Sequence, residues 1–249
     1  MVAPFQSREK ASIAVAIRSD LARAKGLRAA GRRAGDDRLR LREWQAARLK
    51  HTYPDLLASA RYGRAARFFL DELYGPKDFA ERDDEVARIL PSMTRLLPVG
   101  AVRTFGLAVE LDCLSEQLDA ALVAALRAGG GADGALRIDE RRYADAYRRC
   151  ANRTERERQI QLVRQIGEAL DALARKPLIA RAVEMMRRPA ELAGLAELHA
   201  FLEGGFAAFR QMQGAAEFLD TIERRERGIM DQLFAGDADP FAAAGRNSR

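Results

Sequence analysis

Apolar residues recur at helical spacing along most of this chain. Tyr62, Ala65, Ala66, Phe69, Leu70, Leu73 and Tyr74 follow the i, i+3, i+4, i+7 rhythm that gathers side chains on one stripe of a helix. Gly75-Pro76 predicts the end of that helix, because proline lacks an amide donor and disfavours helix in the residue before it. A second stripe, Val86, Ile89, Leu90, Met93 and Leu97, predicts a helix that starts near Phe79 and is kinked or broken at Pro91. The longest periodic run predicts a helix from about Val99 to Arg127, with Leu107, Leu111, Leu114, Leu118, Leu122 and Ala125 as its buried row.

Gly129-Gly130-Gly131-Ala132-Asp133-Gly134 predicts a flexible connection. Beyond it, Asp139 is placed to cap a helix carrying Tyr143, Ala146, Tyr147 and Cys150. Asn152 or Thr154 is placed to cap one that buries Ile160, Val163, Ile166, Leu170 and Leu173. Pro177 and Pro189 stand where a first helical turn tolerates proline. The helices they open carry Leu178, Ile179, Ala182, Val183 and Met186, then Leu192, Leu195, His199, Leu202, Phe206 and Phe209. Phe218, Ile222, Ile229 and Leu233 mark a last helix. Strand alternation and internal repeats are absent from the sequence, so the expected fold is all-α, a bundle of roughly eight to ten helices. Its expected organisation is a basic N-terminal helix and linker (1–40), a helical domain (41–235) with a candidate subdivision at 129–134, and a disordered tail (236–249) without periodicity.

Composition narrows the setting. The chain has 249 residues, 48% of them apolar, which is ample for a hydrophobic core. Two cysteines, Cys113 and Cys150, cannot build a disulfide framework and point to a reducing compartment. No stretch approaches the ~20 apolar residues of a membrane span. The run Ala11 to Ile17 is at the short limit for a signal peptide and is followed at once by Arg18 and Asp20. The expected location is the cytoplasm.

The net charge of +6 is unevenly spread. Residues 1–50 hold 13 Lys or Arg against 5 Asp or Glu, so all the excess basicity is N-terminal, with Arg28, Arg32, Arg33, Arg38, Arg40 and Arg42 flanking Gly31 to Gly35. Such a segment suits phosphates or an anionic surface, or else a solvated helix face. Aromatic residues beside it are limited to Trp44 and Tyr53, too few for a base-stacking platform. Between Asp71 and Glu85, seven carboxylates stand against Lys77 and Arg82. Their spacing does not fit an EF-hand loop, so helix capping and pairing with the basic segment are the expected uses.

Catalytic and metal motifs fail on residue type. The only histidines are His51 and His199, and no Glu precedes either by three as a di-iron bundle requires. His199 falls in an apolar row and reads as a core or interface histidine, and His51 as a helix-end cation. Two distant Cys and two His make no zinc site. There is no Gly-x-Ser-x-Gly elbow, and the Gly-rich stretch lacks the Lys-Ser/Thr ending of a P-loop. No catalytic residue, metal ligand or cofactor is therefore assigned.

The stretch Arg67-Phe68-Phe69-Leu70-Asp71-Glu72-Leu73-Tyr74-Gly75-Pro76-Lys77-Asp78-Phe79 resembles the Phe-Phe-Leu-x-x-Leu-Tyr-Gly-Pro-x-Asp-Phe signature of a family of bacterial all-helical proteins, a domain of unknown function. The likeness extends from about Arg42 to Leu233 and takes in Glu155-Arg156-Glu157-Arg158-Gln159, Arg175-Lys176-Pro177-Leu178 and Phe201-Leu202-Glu203-Gly204-Gly205-Phe206. It implies one mostly continuous helical domain and a bacterial source, and it brings no mechanism.

Three uses follow as expectations. The first is binding to another protein or to a second copy, through Phe68, Tyr74 and Phe79 at the aromatic corner and Arg32 and Arg33 in the basic segment. The second is a small-molecule or cofactor pocket near Phe69, Tyr74, His199 and Phe206. The third is nucleic-acid binding by residues 18–50.

Overall fold

A computed structural model describes residues 4–33, 35–70, 80–129, 135–237 and 239–241. Among them are twelve α-helices and no strand. They are α1 (Pro4–Arg33), α2 (Asp37–Thr52), α3 (Pro54–Ala58), α4 (Gly63–Phe68), α5 (Ala80–Leu96), α6 (Val99–Ala128), α7 (Glu140–Cys150), α8 (Arg153–Ala174), α9 (Pro177–Met185), α10 (Arg187–Leu192), α11 (Ala196–Met212) and α12 (Ala216–Ala235). The all-α expectation holds, and the count exceeds eight to ten because α3, α4 and α10 are single short turns.

The first helix is built on a seam. Ala14, Ile17, Leu21, Ala24 and Arg28 are its buried positions, spaced alternately three and four apart as in a coiled-coil stripe. That stripe lies along α6, with the two helices running in the same direction. Arg103 pairs with Glu9 at one end, Ile13 and Ile17 close over Gly106, and Arg28 reaches Glu116 at the other end. Gly35, with φ +94°, turns the chain into α2, and residue 40 lies inside that helix.

α6 is flanked by α1, α2, α5, α7 and α8. The row expected to be buried on it is fully buried only at Leu118 and Leu122, while Leu107, Leu111, Leu114 and Ala125 are half-buried. The face against α1 and α2 is instead Val102, Val109, Cys113, Glu116 and Asp119. With helices on so many sides, α6 buries two of its carboxylates as well, Glu116 and Asp119.

Three apolar clusters fill the bundle. Ile17, Leu21, Val86, Leu90 and Val109 join α1, α5 and α6. Leu41, Leu122, Tyr143, Tyr147 and Leu233 join α2, α6, α7 and α12, where Trp44 stacks on Tyr143 at 4.2 Å between ring centroids. Leu56, Phe69, Phe209, Met212 and Phe218 form the third, between α3, α4, α11 and α12.

Local signals worked unevenly. Asp139 caps α7 as expected, its Oδ1 accepting from the Arg142 amide at 2.8 Å. Asn152 sits at the N-cap of α8 without a side-chain bond. α5 continues through Pro91, because Pro91 and Ala87 both face solvent, where water can meet the carbonyl that proline leaves without a donor. Phe241, in the tail expected to lack structure, packs against Trp44 and Tyr143. The corner at 71–79, the Gly-rich stretch at 130–134 and residues 242–249 lie outside the described residues.

Two helical glycines make the packing testable. A Cβ at Gly167 would stand 2.4 Å from Leu219 Cδ2, whereas one at Gly228 would meet nothing within 4 Å. Gly167→Ala is expected to destabilise the protein by about 1–3 kcal/mol through overpacking. Gly228→Ala should stabilise it by up to about 1 kcal/mol through helix propensity. Thermal melts check both, at about 2–4 °C per kcal/mol for a chain of this size; shifts of the same sign would contradict the packing.

Candidate functional site

Much of the basic segment has an internal use. Glu116, on α6, is 0% exposed. Arg28 of α1 donates its Nε to Glu116 Oε1 at 3.0 Å, and Arg42 of α2 donates to the same oxygen. Arg38 pairs with the other oxygen. The group is widened by Asp112, which takes Arg28, and by Asp119, which accepts from Arg42 and from Gln45 Nε2. Burial, reinforced by the nearby positive charges of Arg42 and Arg28, pulls the Arg38 guanidinium down to about 10. Arg48 pairs with Glu226 of α12 at 2.8 Å, and Arg127 closes on Asp37. Arg28, Arg38, Arg42 and Arg48 therefore face carboxylates inside the bundle. Arg18, Arg23, Arg40 and Lys50 stay on its surface. From the acidic segment, Asp84 pairs with Lys25 on the surface.

A cavity of about 80 Å³ opens between the stretch Leu49–Leu70, α8 and α12. Its walls are apolar (Leu56, Phe69, Val163 and Phe218 among them), and Arg164, Glu223 and Glu226 stand at its polar side. Those charges are already matched. Arg164 holds Asp220 and Glu223 at 2.7 Å, and Glu226 accepts from Arg48 and from the Tyr53 hydroxyl. Of the pocket candidates among the described residues, Phe69 lines this cavity. Phe206 packs on the same core from α11, and His199 is buried near the start of α11, away from the cavity lining.

The interaction candidates separate as well. Phe68 is half-buried, its ring seated over Gly204 and Gly205 of α11 and 5.3 Å from the Phe201 ring. A β-carbon on Gly205 would stand 3.1 Å from that ring, so the Gly-Gly pair is the seat of the phenylalanine. Tyr74 and Phe79 lie outside the described residues. Arg32 is exposed in the last turn of α1, and Arg33 ends the helix.

The largest departure from the expected core is on α9, α10 and α11. Met186, Leu192 and Leu202 were expected in buried rows, yet all three are exposed, as is Met185. Leu192 is 90% exposed and Met185 78%. The chain breaks helix at Met186 and again after Leu192, so helical phase restarts twice and one continuous stripe cannot form. A nine-residue and a six-residue helix at the edge of a bundle also bury only one side. The available signal was the close placement of Pro177 and Pro189.

Among the described residues, no group of three or more His, Cys, Asp or Glu is placed to hold a metal ion, and no helix is long and apolar enough to cross a membrane. The arrangement defines an all-helical bundle with a buried ion-pair centre and an exposed apolar edge. The chain belongs to the family described as Domain of unknown function (DUF8198), which matches residues 26–240. Among curated proteins and among solved structures, nothing matches it.

Two predictions follow from the charges. Glu116→Ala leaves three arginines around a vacated buried site and is expected to cost about 3–5 kcal/mol. Asp84→Ala, which removes an exposed pair, should change stability by less than about 1 kcal/mol. Urea unfolding distinguishes them, and equal effects would remove Glu116 from the centre of the fold. The second concerns Asp55, which Arg225 grips through two bonds of 2.7 Å that hold its carboxyl below the usual aspartate range. A carboxyl depressed in the folded state stabilises the protein above its ordinary pKa, and this contribution is lost as the pH falls below about 4. The stability gap between the wild type and Asp55→Asn is thus expected to narrow on acidification; a gap that widens would reverse the assignment.

Proposed function

We propose that this protein acts by binding another protein, or a second copy of itself, through the apolar edge formed by α9, α10 and α11, and that it is not an enzyme. The observation that carries this reading is the exposure of Met185, Met186, Leu192 and Leu202 on neighbouring elements. Clustered exposed apolar side chains mark association surfaces. Methionine suits such a surface because its flexible, polarisable side chain adapts to a partner. Burying one such residue is worth about 1.5–3 kcal/mol, so two or three of them supply a useful fraction of a binding energy. Between Lys176 and Leu192 the flanking charges are four cations and two carboxylates, which favours a partner whose rim is acidic. Two free thiols, Cys113 and Cys150, support placement in a reducing bacterial cytoplasm.

A photo-crosslinking residue in place of Leu192 tests the reading, with the exposed Arg224 position as control. A discrete adduct is expected from position 192 alone, its mass giving a partner or a dimer. Met185→Asp with Leu192→Asp should abolish the complex while the helical circular dichroism is unchanged. Equal crosslinking from both positions, or a complex indifferent to the double substitution, would overturn it.

A further inference from the structure

Arg156, in the first turn of α8, is 7% exposed, and no carboxylate among the described residues bonds to it. Its guanidinium lies 4.6 Å from the centroid of the Tyr147 ring. Nη1 makes one long hydrogen bond, 3.4 Å, to Gln159 Oε1. Nε and Nη2 are buried and donate to nothing.

Those two atoms form one edge of the guanidinium, and other arginines of this chain use that edge to grip carboxylates. Arg158, two residues on, donates Nε and Nη2 to the two oxygens of Glu110 at 2.8 and 2.9 Å. Arg28 uses the same edge on Glu116 and Asp112. Acids on α8 and on α12, which packs against it, are engaged elsewhere: Glu157 and Asp231 with Arg153, Glu226 with Arg48 and Tyr53. Glu155 faces solvent. A guanidinium cannot shed its proton to escape burial, so an empty fork in the interior asks for an anion. The surroundings favour one. The 22-residue α8 begins beside it without a side-chain cap, and the positive end of the helix adds to the arginine's charge.

We propose that Arg156 anchors a binding site for a small oxyanion, a carboxylate or phosphate group taken in two-point fashion by its Nε and Nη2 edge at the start of α8. Tyr147 covers the face of the guanidinium and Gln159 holds its far nitrogen, which leaves the edge as the part presented to the ligand. The site is closed in this conformation, so entry requires the α7, α8 and α12 junction to open locally.

Thermal melts of the full chain test this, in sodium phosphate and in sodium acetate, each against sodium chloride of the same ionic strength. A saturable rise of about 2–4 °C or more is expected with one of the two anions, and which one distinguishes a phosphoryl from a carboxylate ligand. Arg156→Met should melt above the wild type in chloride, since it removes an unpaired buried charge, and below it at saturating anion. Arg156→Lys keeps the charge without the fork and should need more anion to reach half the rise. Absence of any saturable rise over chloride, or an Arg156→Lys response identical to that of the wild type, would overturn the proposal.

Discussion

A carboxylate sealed inside a helical bundle has to be neutralised by groups the fold itself delivers. Glu116 is met by one arginine from α1 and two from α2, so both N-terminal helices must dock before its charge is satisfied. The apolar seam of α1 and the ion-pair centre are one device: the seam brings Arg28 to the level of Glu116 and Asp112 on α6, and the centre rewards that docking. Undocking either helix would strand the buried Glu116 charge, at a cost that is a large part of a typical domain's stability of about 5–15 kcal/mol.

The same logic explains why an Arg-rich sequence yields a well-packed interior. Arg48, Arg156 and Arg225 all have their planar heads near tyrosine rings or carboxylates between α2, α8 and α12. Guanidinium tolerates such positions because it is weakly hydrated and stacks on aromatic faces. The middle of the bundle is therefore part apolar and part ionic, with Phe218 and Leu162 fully buried a short way along the same helices.

Much of the architecture was legible in the residue pattern. The span of α6, the Asp139 cap and the helical character of the whole chain follow from period and capping chemistry that act locally. What was hidden depends on neighbours. Asp112, Glu116 and Asp119 recur at helical spacing and resemble a solvated face until arginines from eighty residues away are brought against them. Phe68 reads as a candidate contact because two adjacent phenylalanines must point to different sides of a helix; only the fold reveals the glycine pair on α11 that receives it. Met186, Leu192 and Leu202 were misplaced for the opposite reason, since each belongs to an apolar rhythm that chain breaks interrupt. Periodicity identifies which residues share a face of one element, and it is silent about whether another element covers that face.

The register of α1 on α6 also sets a timetable. Arg28 and its acceptor Glu116 are 88 residues apart, and ribosomes add about 5–20 residues per second, so the first helix emerges roughly 4–18 s before its partner. During that interval Ile17 and Leu21 lack the Val109 side of their cluster, and Arg28, Arg38 and Arg42 have no Glu116 to meet. The ion-pair centre of the two N-terminal helices is therefore completed only once the middle of the chain has been made, and the pairing of Arg48 waits longer still, for Glu226 of α12.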